Sequence, residues 1–303
     1  MPNPSNLRTA LIAVALAGFS LTSHASQPAT PSFDAIYVFG DSYSDVGNIS
    51  LASGGTVPGP LYYNGRFSNG PIWIDHLAGT YGVAVTPSLT GGTDYAFGGA
   101  EVTAPVPVPG SSQAIPSVPQ QVELYLQQRN GKADPKALYI VTGGGNDILN
   151  APAGTSPQQL GAEIALGLAT SVELLERAGA RHLLVPNLFD IGKLPAAQLS
   201  GISSFATATT LVVNQQLSFW LLLESFAPQT RIYRSDAYAF LQGVFADNSH
   251  FGFTDVTDPC LVTTPFPSRC NLPDLYFFWD TFHPTLFGHS MIATLAVQAI
   301  QQK

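Results

Sequence analysis

Short apolar runs that stop at glycine or proline, separated by one long periodic stretch, constrain the fold of this chain more than any other feature. Ala35 to Phe39 is apolar and stops at Gly40, and Ala137-Leu138-Tyr139-Ile140-Val141-Thr142 is apolar or β-branched throughout before Gly143-Gly144-Gly145. Runs of this kind, without polar alternation, are expected of strands covered on both faces. Ser156 followed by Pro157 opens a helix reaching about Ala178, in which Leu160, Ile164, Leu168, Val172 and Leu175 recur at helical spacing and which Gly179 stops. His182 to Pro186 is the next strand, Val213 to Phe226 the next helix, and Arg231-Ile232-Tyr233 a further short strand. Pro71 to Leu77 has apolar spacing suited to a helix. Residues 50–70 read as an exposed loop, Gly91 to Ala100 as a strand end and turn, and the Pro-rich stretch Val102 to Pro119 as an irregular wall or lid. Strands alternating with helices predict an α/β fold, a three-layer α/β/α sandwich with a mostly parallel sheet.

The chain has 303 residues, 45% hydrophobic and 11% charged, enough for one buried core and thin for two. Met1 to Ala25 carries Arg8, an apolar run from Ala10 to about Leu21 and the small-residue ending Ser23-His24-Ala25. This reads as a secretory signal peptide over 1–25, followed by a single domain over 26–303. The apolar run is shorter than the roughly 20 residues a membrane span needs, and no later segment reaches that length without polar interruption. The expected location is periplasmic or extracellular. Cys260 and Cys270 are then expected to pair as a disulfide, the alternative being two buried thiols. A formal charge of -8 makes nucleic acid an unfavourable partner.

Gly40-Asp41-Ser42 puts a hydroxyl on a tight turn directly after an apolar strand. Far along the chain, Asp280-Thr281-Phe282-His283 offers a carboxylate and an imidazole close enough to meet. Ser42 as nucleophile, His283 as general base and Asp280 as the group that fixes its tautomer form one candidate site. Attack on a carbonyl also requires donors aimed at the developing oxyanion, and the candidates are the backbone of Ser42, the Gly98-Gly99 turn and the side-chain amide of Asn146. Asp45 is expected to hydrogen-bond the Ser42 turn, and Asn48 to cap the following helix. Arg66 either attracts an anionic head group or makes an ordinary salt bridge. His76, His182, His250 and His289 have no metal-binding spacing, and His289 lacks an acidic residue at the spacing that marks His283.

The combination resembles the SGNH, or GDSL, hydrolase superfamily, especially its secreted bacterial esterases and phospholipases. Gly40-Asp41-Ser42, with Tyr43 where leucine is common, matches the first block. Asp94 to Ala100 matches the glycine block, with Asp94 where asparagine is common; Gly99 is favoured over Gly98 as its donor. Gly144-Gly145-Asn146-Asp147 and Asp280 to His283 match the remaining two. The resemblance spans residues 35 to about 298. It implies a flavodoxin-like fold and metal-free, cofactor-free hydrolysis of a carboxylic ester through an acyl-enzyme.

A short- to medium-chain acyl ester is the leading substrate expectation, with Arg66, Phe67 and Phe278 as candidate substrate-binding residues. Tyr62, Tyr63, Phe266 and Phe277 are further aromatic candidates for an apolar or quaternary-ammonium pocket. The alternatives are a lysophospholipase or phospholipase A with acyltransferase activity, a choline-ester hydrolase, and a non-catalytic lipid- or carbohydrate-binding domain. The expected partner is a small-molecule or lipid acyl ester, with transient contact with lipid surfaces.

Overall fold

The computed structural model describes residues 31–224, 228–263 and 266–302. The expected signal peptide, and Phe226 at the expected end of one helix, lie outside the described residues. Four parallel strands form the central sheet in the order Ile36–Phe39, Leu138–Val141, His182–Pro186, Arg231–Ser235. Ile36 pairs with Leu138, Leu138 with His182 and His182 with Arg231. On the other edge of the first strand, Val38 makes a parallel bridge to Asp94. With that bridge as a minimal second strand, the order is the flavodoxin-like 2-1-3-4-5. The ligand crevice of such a sheet opens at the carboxyl ends of its first and third strands, where connections leave to opposite sides. Gly40 follows one of those ends and Gly143 the other.

Side chains alternate across the sheet as a two-residue period requires. Tyr37, Phe39, Tyr139, Val141, Leu183 and Val185 join one buried cluster, covered by the helices Val118–Gln128, Pro157–Ala178 and Ser203–Glu224. Ile36, Val38, Leu138, Ile140 and Leu184 join another, covered by Trp73–Tyr81 and Leu286–Gln301. These are the three expected layers. The long helix begins and ends where its sequence signals stand: Ser156 accepts from the Gln159 N–H, and Gly179 takes the left-handed conformation at φ 110°.

Two segments differ from expectation. The helix expected from Val213 starts at Ser203, ten residues earlier. Its first half is rich in threonine, a weak helix former, but the Thr209 and Thr210 hydroxyls donate to the Phe205 and Ala206 carbonyls one turn back, and both side chains are fully buried. Tertiary packing overrides propensity there. The stretch 102–119 is not wholly irregular: Val106–Pro107 pairs antiparallel with Ala114–Ile115, and a helix starts at Val118. Gln120 Oε1 accepts the Ser117 N–H at 3.1 Å, half of a capping box, and Pro119 sits in the first turn. No helix among the described residues is long and apolar enough to cross a membrane.

Candidate active site

The turn after the first strand is clamped from several sides. Gln121, fully buried, accepts the Gly40 N–H at 2.8 Å and donates its amide to the Gly40 carbonyl at 2.9 Å. A Cβ at Gly40 would stand 2.9 Å from Thr142 Cγ2, so the close approach of the two strand ends requires glycine. Beyond Ser42, the buried Asp45 carboxylate accepts the N–H groups of Gly47, Asn48, Ile49 and Gly98. It thereby caps the short helix that follows the serine turn and ties it to the glycine block, rather than bonding the Ser42 turn itself. Asn48 is not a helix cap. Its amide donates to the Asp94 and Ala96 carbonyls, and its oxygen accepts the Leu89 N–H, so it fastens a second loop to the turn. Burial raises the pKa of both Asp45 and Asp94, and for Asp94 the charge of Asp45 adds to the effect.

Ser42 Oγ lies 2.7 Å from His283 Nε2, and His283 Nδ1 lies 2.8 Å from Asp280 Oδ2. Asp280 Oδ1 also accepts the Phe282 and His283 N–H groups, each at 2.7 Å. The remaining donor is a residue sequence reasoning placed only in a pocket wall: the Tyr62 hydroxyl donates to Asp280 Oδ2 at 2.8 Å. Burial alone would raise the Asp280 pKa, but the nearby His283, its hydrogen bond, the Phe282 N–H and the Tyr62 hydroxyl together outweigh it and hold the carboxyl below its ordinary value. The loop is fixed further by the Tyr43 hydroxyl, which donates to the Phe282 carbonyl at 2.5 Å, and by the Trp279 N–H, which donates to the His283 carbonyl at 2.7 Å. Cys260 and Cys270 form a disulfide, and Cys260, Leu261 and Trp279 pack with Tyr62, so this crosslinked arm abuts the chain entering Asp280.

On the opposite side of Ser42, the Gly98 N–H is spent on Asp45 at 2.7 Å, whereas among the described residues the Gly99 and Ser42 N–H groups have no acceptor. Gly99 takes φ 84°. Asn146, in the first turn of the helix Gly145–Leu149, donates one amide hydrogen to the Ala100 carbonyl at 2.9 Å, which leaves the other available. Asp147 accepts the Val102 and Thr103 N–H groups, so neighbouring side chains dock the glycine block to this helix.

These groups meet at a cavity of about 610 Å³. Ile49, Val57, Phe67 and Ile115 form part of its wall, with Leu188, Phe189, Phe240 and Leu241 elsewhere around it. The imidazole stands between two rings, 4.8 Å from Phe67 and 5.6 Å from Tyr43. Of the three candidate substrate-binding residues, only Phe67 lines the cavity. Arg66 is bound to Asp75 at 2.9 Å and to the Asn64 carbonyl, a neighbour supplied by the following helix, and Phe278 is fully buried in the core, where a strand's inward position puts it. Tyr62 and Phe277 line the cavity; Tyr63 and Phe266 do not. His289 is fully buried behind Tyr43 and does not line the cavity, and burial lowers its pKa well below the ordinary value.

A serine, an imidazole and a carboxylate in hydrogen-bonded sequence at the switch point of a doubly wound sheet define a class, the serine-dependent ester hydrolases. Within that class the chain belongs to the family described as GDSL-like lipase/acylhydrolase, which it matches over residues 36–296. It is a carboxylic ester hydrolase. It is 28% identical over 263 residues to a phosphatidylcholine-sterol acyltransferase of Aeromonas hydrophila, covering 84% of this chain and 75% of that protein. It is also 26% identical over 313 residues to a GDSL esterase/lipase of Arabidopsis thaliana, covering 89% of this chain and 90% of that one. Lipase 1 of Photorhabdus luminescens is 34% identical over 166 residues, 54% of this chain and only 23% of that protein. Among solved structures, a carbohydrate acetylesterase from Sinorhizobium meliloti aligns with a TM-score of 0.47 at 13% identity, over 88% of this chain and 96% of that one.

Proposed function

We propose that the protein cleaves short- to medium-chain acyl esters, with Ser42 as nucleophile. His283 Nε2 takes the Ser42 proton as Oγ attacks the carbonyl carbon, and Asp280 holds the imidazole tautomer and stabilises its cationic form. The N–H groups of Ser42 and Gly99 and the Asn146 amide receive the oxyanion. Collapse expels the alcohol, which leaves with the proton from His283, and an acyl-Ser42 ester remains. Water then repeats the sequence, releasing the acid and restoring the serine. The observation that carries this reading is the 2.7 Å contact between Ser42 Oγ and His283 Nε2 at the edge of an apolar cavity. Phe67 and Tyr62 serve as walls for the substrate. Residues 1–25 direct export and leave a single domain over 26–303, in a compartment oxidising enough for the Cys260–Cys270 pair.

The test is steady-state hydrolysis of p-nitrophenyl esters from acetate to palmitate, with Ser42→Ala run beside the wild type. The expected result is an optimum at short or medium chains and a loss of at least roughly 10⁴-fold in Ser42→Ala. Wild-type turnover in that variant rejects the nucleophile, and an optimum at palmitate rejects the chain length. A second reading, acyl transfer or lysophospholipid hydrolysis at a lipid surface, is favoured by the relative named as an acyltransferase. It differs only in which hydroxyl resolves the acyl-enzyme. Fatty-acid release from lysophosphatidylcholine micelles, or ester formation with an added lipid alcohol, supports it; neither product removes it.

A further inference from the structure

One wall of the cavity belongs to neither of the two clusters that cover the sheet. Ile49, Phe97, Ala100, Val108 and Ile115 form a separate buried cluster, with Val57, Phe67 and Val106 packed against it. The hairpin supplies a cross-strand pair to this wall: Val106 stands directly opposite Ile115, and both line the cavity. A side chain at Gly98 would collide with Phe67 and Ile49, and a Cβ at Gly99 would stand 3.3 Å from Ile115 Cδ1, so the wall is seated on the turn that carries the Gly99 donor. Among the described residues its one polar side chain is Tyr62, which packs against Phe67 and whose hydroxyl is already bound to Asp280.

We propose that this wall is the subsite for the alcohol portion of the ester, and that Ile115 and Val106 are specificity-determining residues that select apolar alkyl or aryl alcohols over alcohols carrying further hydroxyl groups. The inference rests on the ester-hydrolase reading of the same site and adds the class of its leaving group. The leaving oxygen takes its proton from His283 Nε2, so the alcohol departs against the imidazole. Of the rings of Phe67, Tyr43 and Phe282 around that imidazole, Phe67 is the nearest, at 4.8 Å against 5.6 Å and 5.9 Å. Phe67 leads into the wall of Ile49 and Ile115. The Asn146 donor leads elsewhere: a Cβ at Gly145 would stand 3.3 Å from Ile191 Cδ1 and one at Gly144 3.7 Å from Leu188 Cδ2, so those two side chains border the Asn146 helix and line a different part of the cavity. The acyl chain is assigned to that part.

The selection follows from what the wall cannot do. Ile49, Val57, Phe67, Val106 and Ile115 have no side-chain donor or acceptor, so a hydroxyl pressed against them gives up its hydrogen bonds to water and gains none. A methyl group in the same place gains by leaving water. Alcohols with further hydroxyl groups meet the first situation, and alkyl or aryl alcohols the second.

The experiment compares kcat/KM for the n-pentyl and 4-hydroxybutyl esters of one acid, at the acyl length that the p-nitrophenyl series selects. The two differ only in a terminal methyl group replaced by a hydroxyl, remote from the leaving oxygen, so their ester bonds are alike in reactivity. The wild type is expected to favour the pentyl ester about tenfold. Ile115→Thr and Val106→Thr each give the wall a hydroxyl, and each is expected to cut that preference at least about threefold. The matching pair on the acyl side is ethyl heptanoate and ethyl 6-hydroxyhexanoate, whose ratio is expected to stay at its wild-type value in both variants. Val106→Thr keeps the shape of a half-buried side chain, so the comparison stands even if Ile115→Thr does not fold. A wild-type preference below about twofold overturns the inference. So does an unmoved alcohol-side ratio in the folded variants, or an acyl-side ratio that moves as much. Any of these results with Ser42-dependent turnover leaves the hydrolase reading intact, whereas no Ser42-dependent turnover of any ester overturns both.

Discussion

Ser42, Gly99 and Asn146 stand at or near the ends of sheet strands, and the groups that hold them are carboxylates and a glutamine bound to backbone: Asp45, Asp147 and Gln121. His283 and Asp280 stand on a loop that reaches Ser42 across 241 residues of chain. That loop is held by phenol hydroxyls from Tyr43 and Tyr62 and by the disulfide arm beside Trp279. The sheet-borne half buries its ties among backbone groups that have no other partners, so breaking one tie leaves several donors unsatisfied. The loop-borne half is held by single bonds from separate groups, the Tyr43 and Tyr62 hydroxyls and individual backbone N–H groups, so losing one leaves only one partner unpaired. Damage to the first half should therefore appear as lost stability or lost transition-state binding, and damage to the second as altered catalysis on an intact fold.

Asp45→Ala is the largest test of that difference. It strands the N–H groups of Gly47, Asn48, Ile49 and Gly98 in a fully buried position, and the expected cost in urea unfolding is at least about 4 kcal/mol. A loss below 1 kcal/mol would mean that the clamp is redundant. Asn146→Ala comes next, with kcat falling on the order of 10²- to 10³-fold if its amide meets the oxyanion. An equal loss in KM alone would instead assign Asn146 to ground-state binding. Part of any stability change belongs to the bond to the Ala100 carbonyl, so melting is measured on the same preparation. Removing the crosslink with Cys260→Ser and Cys270→Ser is expected to lower stability by about 2 kcal/mol. The catalytic loss should exceed what the small shift in folded population explains, because the arm packs on Tyr62 and Trp279.

The same division explains what the sequence revealed. The turns that carry Ser42, Gly99 and Asn146 were legible because each lies in a short motif whose glycines mark it, and strand-end turns are local events. Three of the four sheet strands were legible because uninterrupted apolar runs have few other uses; the fourth, Arg231–Ser235, sets only Ile232 and Tyr233 between two arginines. The helices Ala237–Ala246 and Leu286–Gln301 were not read, since both are apolar around most of their circumference and show little periodic contrast. Thr285, whose hydroxyl accepts the Gly288 N–H, is a start signal for the second of them. The role of Tyr62 was not legible at all. Nothing within its own loop marks it, and its partner is 218 residues away. Arg66 was legible as a salt-bridge residue, and Asp75, nine residues on, supplies the partner; its place among the candidate substrate-binding residues does not hold.

Tyr62→Phe is the smallest expected effect and the sharpest test of the loop-borne half. Removing the hydroxyl takes one donor from Asp280, so its depressed pKa relaxes upward. Asp280 then holds the imidazole with one fewer contact fixing its own position, and kcat should fall roughly three- to tenfold. The stability consequence has its own sign. A depressed native pKa contributes stability that is fully present above the unfolded value near 3.9 and lost as pH falls through the native one. The variant should thus lose less stability than the wild type on acidification below pH 4, starting from a fold weakened by no more than about 1 kcal/mol at neutral pH. A fall in kcat with wild-type acid unfolding would make Tyr62 a packing residue only. A fall in kcat together with the smaller loss of stability on acidification would place it in the chain of hydrogen bonds running from the cavity wall through Asp280 and His283 to Ser42.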